Sequence, residues 1–107
     1  MNIDQFYEQR KLVADTMTRL YNTRLTTTSG GNISCRINDE LFAITPSSLD
    51  KAKLTPELIA IVTMDGENLT PHLRLTIEGE MHRLILMENP NVNAVVHAHP
   101  VFSTLYA

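Results

Sequence analysis

The chain ends on NAVVHAHPVFSTLYA, residues 93–107, and the histidines at 97 and 99 are its most chemically suggestive pair. In an extended strand successive side chains alternate faces, so His97 and His99 point the same way, about 6.5–7 Å apart along the backbone. Two imidazoles so placed can converge on one divalent ion. The same spacing also describes two partly buried histidines at a strand end, because His-x-His alone is a weak motif. Glu78 is the second candidate. A carboxylate in the first turn of a helix can ligate a metal or move protons beside it, yet the helix dipole favours an acid there without any function. His82 lies one turn on and shares that face, either joining the site or hydrogen-bonding within the structure.

Two donor-rich stretches complete the set. TSGGNIS at 28–34 puts two glycines before a strand, where consecutive backbone N–H groups can approach an anion. TPSS at 45–48 adds hydroxyl donors after the next strand. Either stretch by itself is an ordinary turn. Cys35 alternates with Ile33 and Ile37 and reads as a packed side chain, and His72, beside Pro71, has no assigned role.

The elements that must position these residues follow from periodicity. Ile3, Phe6, Tyr7, Val13, Ala14, Met17, Leu20 and Tyr21 recur at helical spacing and predict one amphipathic helix of about five turns on a sheet. Ile33, Cys35 and Ile37 alternate with Ser34, Arg36 and Asn38 as in a half-buried strand, Asn38-Asp39 offers a turn, and LFAI at 41–44 returns as the partner strand. Thr55-Pro56 opens a single helical turn, IAIVTM is a third strand, and Asp65-Gly66 ends it. From Thr76 to Glu88 the set Ile77, Met81, Leu84 and Ile85 predicts a second helix, stopped by Asn89-Pro90. NAVVHAH reads as a fourth strand, and Pro100 as the first turn of a further helix.

At 107 residues, with 43% hydrophobic and 20% charged content, the chain falls in the range of one globular domain. A net charge of −3 provides no basic surplus to neutralise phosphates, which argues against nucleic acid and anionic membrane as partners. The single cysteine allows no internal disulfide, and no signal peptide or membrane span is visible; a cytoplasmic setting is expected.

In order, SGGNIS (29–34), ITPSSLDKAKLTPE (44–57), Glu78 with His82, and NAVVHAHP (93–100) resemble the class II aldolase/adducin family across the whole chain. That resemblance implies an α/β fold of three layers, α/β/α, with a central, largely antiparallel sheet. It implies zinc or another divalent metal held by three histidines, two of them His97 and His99, with Glu78 approaching the metal and acting as general acid/base. Gly31, Asn32, Ser47, Ser48 and Thr76 match positions that hold substrate phosphate. The implied activity is retro-aldol cleavage of a ketose phosphate such as L-fuculose 1-phosphate, with a sugar-phosphate epimerase, a dehydratase or a non-catalytic adducin-like association module as alternatives. A homo-oligomer, specifically a tetramer, is implied as well. The pattern departs from the family at LTIE, residues 75–78, where Leu75 and Ile77 replace a proline and a serine. The family's third histidine and C-terminal tyrosine fall beyond Ala107, so residues 1–107 read as the N-terminal portion of a single domain whose C-terminal part is absent, and are expected to be inactive alone.

Overall fold

The computed structural model describes residues 6–23, 31–47 and 54–97. Helix α1, Tyr7–Asn22, buries Arg10, Val13, Ala14 and Met17 at helical spacing and leaves Lys11 and Asp15 paired on its outer face. Its C-terminus closes on Thr23, whose hydroxyl donates to the Arg19 carbonyl at 2.8 Å. The buried Arg10 guanidinium reaches across to the carbonyls of Ile59 (3.0 Å) and Glu57 (2.9 Å), satisfying two acceptors at the entrance to a strand.

Strands β1 (Asn32–Arg36), β2 (Leu41–Ile44), β3 (Ala60–Thr63) and β4 (Ala94–His97) form one sheet in the order β3-β2-β1-β4, antiparallel throughout. The β1–β2 turn is the expected one: Asn38 Oδ1 accepts from the N–H groups of Glu40 and Leu41 at 2.8 and 2.9 Å. A single 3-10 turn, Pro56–Leu58, precedes β3, and Gly66 leaves β3 with φ of +101°, a conformation glycine adopts at least cost. Helix α2, Gly79–Glu88, carries the chain from β3 at one edge of the sheet to β4 at the other.

The alternation of each strand divides the core in two. Ile33, Cys35 and Ala43 pack with Val13, Ala14 and Met17 of α1, while Phe42, Ile44, Ala60 and Val62 pack with Leu86 of α2. One helix therefore covers each face, which gives the expected three layers.

Two details differ from the periodicity reading. The polar side of β1 does not face water: Asn32 and Ser34 are buried, because α2 lies over them. The α2 residues that meet the sheet are His82 and Leu86, whereas Ile77, Met81 and Leu84 are exposed. Apolar spacing located the helix, but the apolar stripe is not its inner face. A polar sheet surface selects a polar partner, and the histidine fills that role.

Arginines fix α2 at both ends. Arg36 donates to the carbonyls of Leu86 (2.5 Å) and Asn89 (3.3 Å), acceptors that the helix C-terminus leaves open, and to that of Val92 (3.1 Å) in the segment beyond. Near the N-terminus Arg83 donates to the Met64 carbonyl at 2.9 Å and pairs with Glu80. The start of α2, where Glu78 sits, is thus held in place over β1 and β4.

Candidate active site

Register brings the first two candidates together. Asn32 and His97 are direct partners across β1 and β4, so their side chains lie on the same face of the sheet. Glu78 occupies the N-cap of α2 above that face. Its carboxylate makes no capping hydrogen bond to the helix and instead has Oε2 against His97 Nδ1, both atoms withdrawn from solvent. An acid placed only to satisfy the helix dipole would turn to the open N–H groups. This one turns to an imidazole.

His82 stands directly beneath, fully buried. Its Nε2 meets Asn32 Oδ1, and its Nδ1 lies 2.6 Å from Ser34 Oγ. A carbonyl oxygen only accepts, so Nε2 carries the proton, and the bare Nδ1 accepts from the serine hydroxyl. His82 therefore realises the structural alternative of its sequence reading, with both ring nitrogens engaged by β1. Burial lowers its pKa from 6.5 to about 4; the Glu78 carboxylate opposes the shift and His97 adds to it.

This shift has a measurable consequence. The folded protein resists protonating His82 whereas the unfolded chain accepts the proton near pH 6.5, so the stability associated with His82 is complete above that pH and is lost as pH falls toward 4. The expected loss is about 3 kcal/mol over that window. Urea midpoints measured across it should fall more steeply for the wild type than for His82→Gln, which has no ring to titrate; parallel profiles would assign the acid sensitivity to other groups.

The donor-rich segments adjoin one another. Gly31 has φ of +83°, which favours glycine, and leads directly into Asn32. The Ile33 N–H donates to Thr45 Oγ1 at 3.2 Å and the Thr45 N–H returns to the Ile33 carbonyl at 3.0 Å, tying the glycine turn to the TPSS segment. The Ser47 N–H donates to the Arg74 carbonyl at 2.8 Å, tying that segment to the one before α2. There Thr76 Oγ1 accepts from the Glu78 N–H at 3.3 Å. Gly31, Asn32, Ser47 and Thr76 thus sit on segments joined by hydrogen bonds, although the backbone N–H of Ser47 and the hydroxyl of Thr76 already have partners within the protein. Ser48 and His99, and with it the second metal candidate, lie outside the described residues.

Among the described residues no group of three or more His, Cys, Asp or Glu gathers as a metal cluster; Glu78 and His97 supply two positions. An imidazole nitrogen and a carboxylate oxygen facing each other away from water are donor types that zinc and similar ions accept, so the residues present fit a divalent ion. Cys35 faces α1, and burial pushes its thiol pKa up, which suits packing and not nucleophilic chemistry. The sequence reading gave Ser34 and Thr45 no individual role in the site. Asn32 and Ser34, two apart on the polar side of a strand that is otherwise apolar, were the available signal for a buried polar partner.

The class II aldolase and adducin N-terminal domain model matches residues 11–107, and the chain belongs to that family. Among its relatives, the 5-methylthioribulose-1-phosphate/5-deoxyribulose-1-phosphate aldolase of Rhodospirillum rubrum is 43% identical over 79 residues, which are 74% of this chain and 35% of that enzyme. The methylthioribulose-1-phosphate dehydratase of Gluconobacter oxydans is 35% identical over 77 residues, 72% of this chain and 37% of the relative. An L-fuculose 1-phosphate aldolase structure superposes with a TM-score of 0.82 at 25% identity, covering 92% of this chain and 47% of its own. The chain spans between about a third and a half of the proteins it matches. Its antiparallel sheet with helices is the class II aldolase fold. Among the described residues no helix is long and apolar enough to cross a membrane.

Proposed function

We propose that the protein carrying this chain is a metal-dependent lyase that cleaves a 1-phosphorylated ketose by retro-aldol chemistry. The observation that carries this reading is the Glu78 carboxylate, turned from its own helix terminus to His97. His97 and His99 hold the ion, zinc or a similar divalent metal, with Glu78 beside it. The bound ion supplies Lewis-acid polarisation of the substrate carbonyl. Cleavage turns the hydroxyl beyond the breaking carbon–carbon bond into an aldehyde carbonyl and releases its proton, and Glu78, as general acid/base, delivers a proton to the carbon on the ketone side of that bond. Gly31, Asn32, Ser47, Ser48 and Thr76 form the phosphate side of the site, through backbone N–H groups and side-chain donors. The reading includes a homotetramer, supported by the family resemblance, in a cytoplasmic setting.

Dehydration is the second reading, and the name of the Gluconobacter relative favours it. The same carboxylate would then remove a proton from the carbon next to the carbonyl while a hydroxyl leaves from the carbon beyond. Product analysis separates the two. The complete zinc-loaded protein is assayed with L-fuculose 1-phosphate, 5-deoxyribulose 1-phosphate and 5-methylthioribulose 1-phosphate. Dihydroxyacetone phosphate with an aldehyde marks cleavage; a product that has lost water and kept every carbon marks dehydration. Turnover of none of the three would end the lyase reading.

A further inference from the structure

We infer that His82 is a positioning residue: it fixes the Asn32 side-chain amide so that the NH2 group, and not the carbonyl oxygen, is presented beside His97. The inference rests on the lyase reading only for the identity of the ligand that the NH2 group meets.

An asparagine amide has an acceptor arm and a donor arm, nearly identical in shape, and an unconstrained amide can present either. Here His82, itself held by Ser34, removes that freedom. His82 Nε2 faces Asn32 Oδ1, an oxygen that only accepts, so the ring proton lies on Nε2 and is donated to Oδ1; the bare Nδ1 accepts from the Ser34 hydroxyl. All three side chains are buried, so no water competes for these atoms. With Oδ1 committed to the imidazole, the NH2 arm diverges from it, at the position whose cross-strand partner is His97.

The consequence is chemical selection at the edge of the site. A carbonyl oxygen beside His97 would be an additional hard ligand for a cation and would repel a phosphate or an oxyanion. An NH2 group does the reverse: it cannot ligate a metal and can donate to an anionic oxygen. The relay thus keeps Asn32 out of the metal's ligand set and assigns it to the phosphorylated substrate.

The test combines spectroscopy with a kinetic split, in the complete metal-loaded protein. Long-range imidazole 15N spectra should show His82 as the single tautomer with Nε2 protonated, and Ser34→Ala should lose that fixed state. His82→Leu, which has no donor for Asn32, should raise KM for a phosphorylated ketose about tenfold, the value of one hydrogen bond to an anionic group, with a smaller change in kcat. His82→Gln should recover most of that KM, because its amide NH2 can still donate to Asn32 Oδ1. If His82→Leu does not fold, Ser34→Ala carries the kinetic arm in its place, with a raised KM expected. A protonated Nδ1, a KM unmoved by the donor-removing change, or a Gln variant no better than Leu would overturn the assignment. Should the protein turn over no ketose phosphate, inorganic phosphate is the probe: weaker binding by the donor-removing variant than by wild type upholds the positioning role while the lyase reading falls, and equal binding overturns both.

Discussion

Glu78→Gln is expected to lower turnover by about a hundredfold to ten-thousandfold while the protein stays folded and keeps most of its metal. The substitution retains the shape of the side chain and one oxygen that can face His97, but an amide cannot take up and return a proton at neutral pH. The size of the loss follows from the role: a ligand supplemented by two histidines would be partly replaceable, whereas a general acid/base has no substitute within reach among the described residues. His97 is a metal ligand in this reading, and His82 has both nitrogens occupied by Ser34 and Asn32 and stays neutral down to about pH 4. Metal content and kcat should be measured on the same preparation. Wild-type turnover in the Gln variant would remove Glu78 from the mechanism, and a parallel loss of metal and activity would make it a ligand first.

Strand and helix positions were legible because local alternation is a direct image of burial on two faces. LFAI became β2 as read, Ala60–Thr63 within IAIVTM became β3, and the Asn38 turn formed with the side-chain acceptor its residue type supplies. What alternation does not encode is what covers the other face. Ser34 and Asn32 look solvent-facing by type, and only the path of α2 over β1 makes them interior. The same long-range placement decides that His82 points inward and Met81 outward, although the apolar stripe of the helix argues for the reverse. Glu78 and His97 are nineteen residues apart, and their meeting depends on α2 spanning the sheet so that its first residue overhangs β4; helical and strand periods carry no such information. Family resemblance supplied that link in the sequence reading because motif order records tertiary placement. It could not show that the acceptor arm of Asn32 is already engaged inside the protein.

Replacing both His97 and His99 by alanine should weaken binding of a divalent ion by about four orders of magnitude. The estimate comes from protein zinc sites, where about 10–16 kcal/mol of binding is shared by four ligands, or roughly 3 kcal/mol for each. His97→Ala alone should therefore cost about half of that free energy, because the carboxylate of Glu78 remains and the strand that carries the site is not disturbed: the His97 side chain is partly exposed at the last residue of β4. His72→Ala is the control, an exposed histidine with no assigned role, and should leave affinity unchanged. Affinity should also depend on pH in a defined sense. Both ligands must be neutral to donate a lone pair, so protons compete with the ion and binding weakens as the solution becomes more acid, with a slope approaching two protons per ion. In the double variant that slope should largely vanish together with the affinity. Zinc titration by calorimetry at three pH values measures stoichiometry, affinity and proton release together. A double variant that still binds one zinc with wild-type affinity and the same pH slope would place the metal elsewhere, and the meeting of Glu78 with His97 would then be an ion pair closing the edge of the sheet.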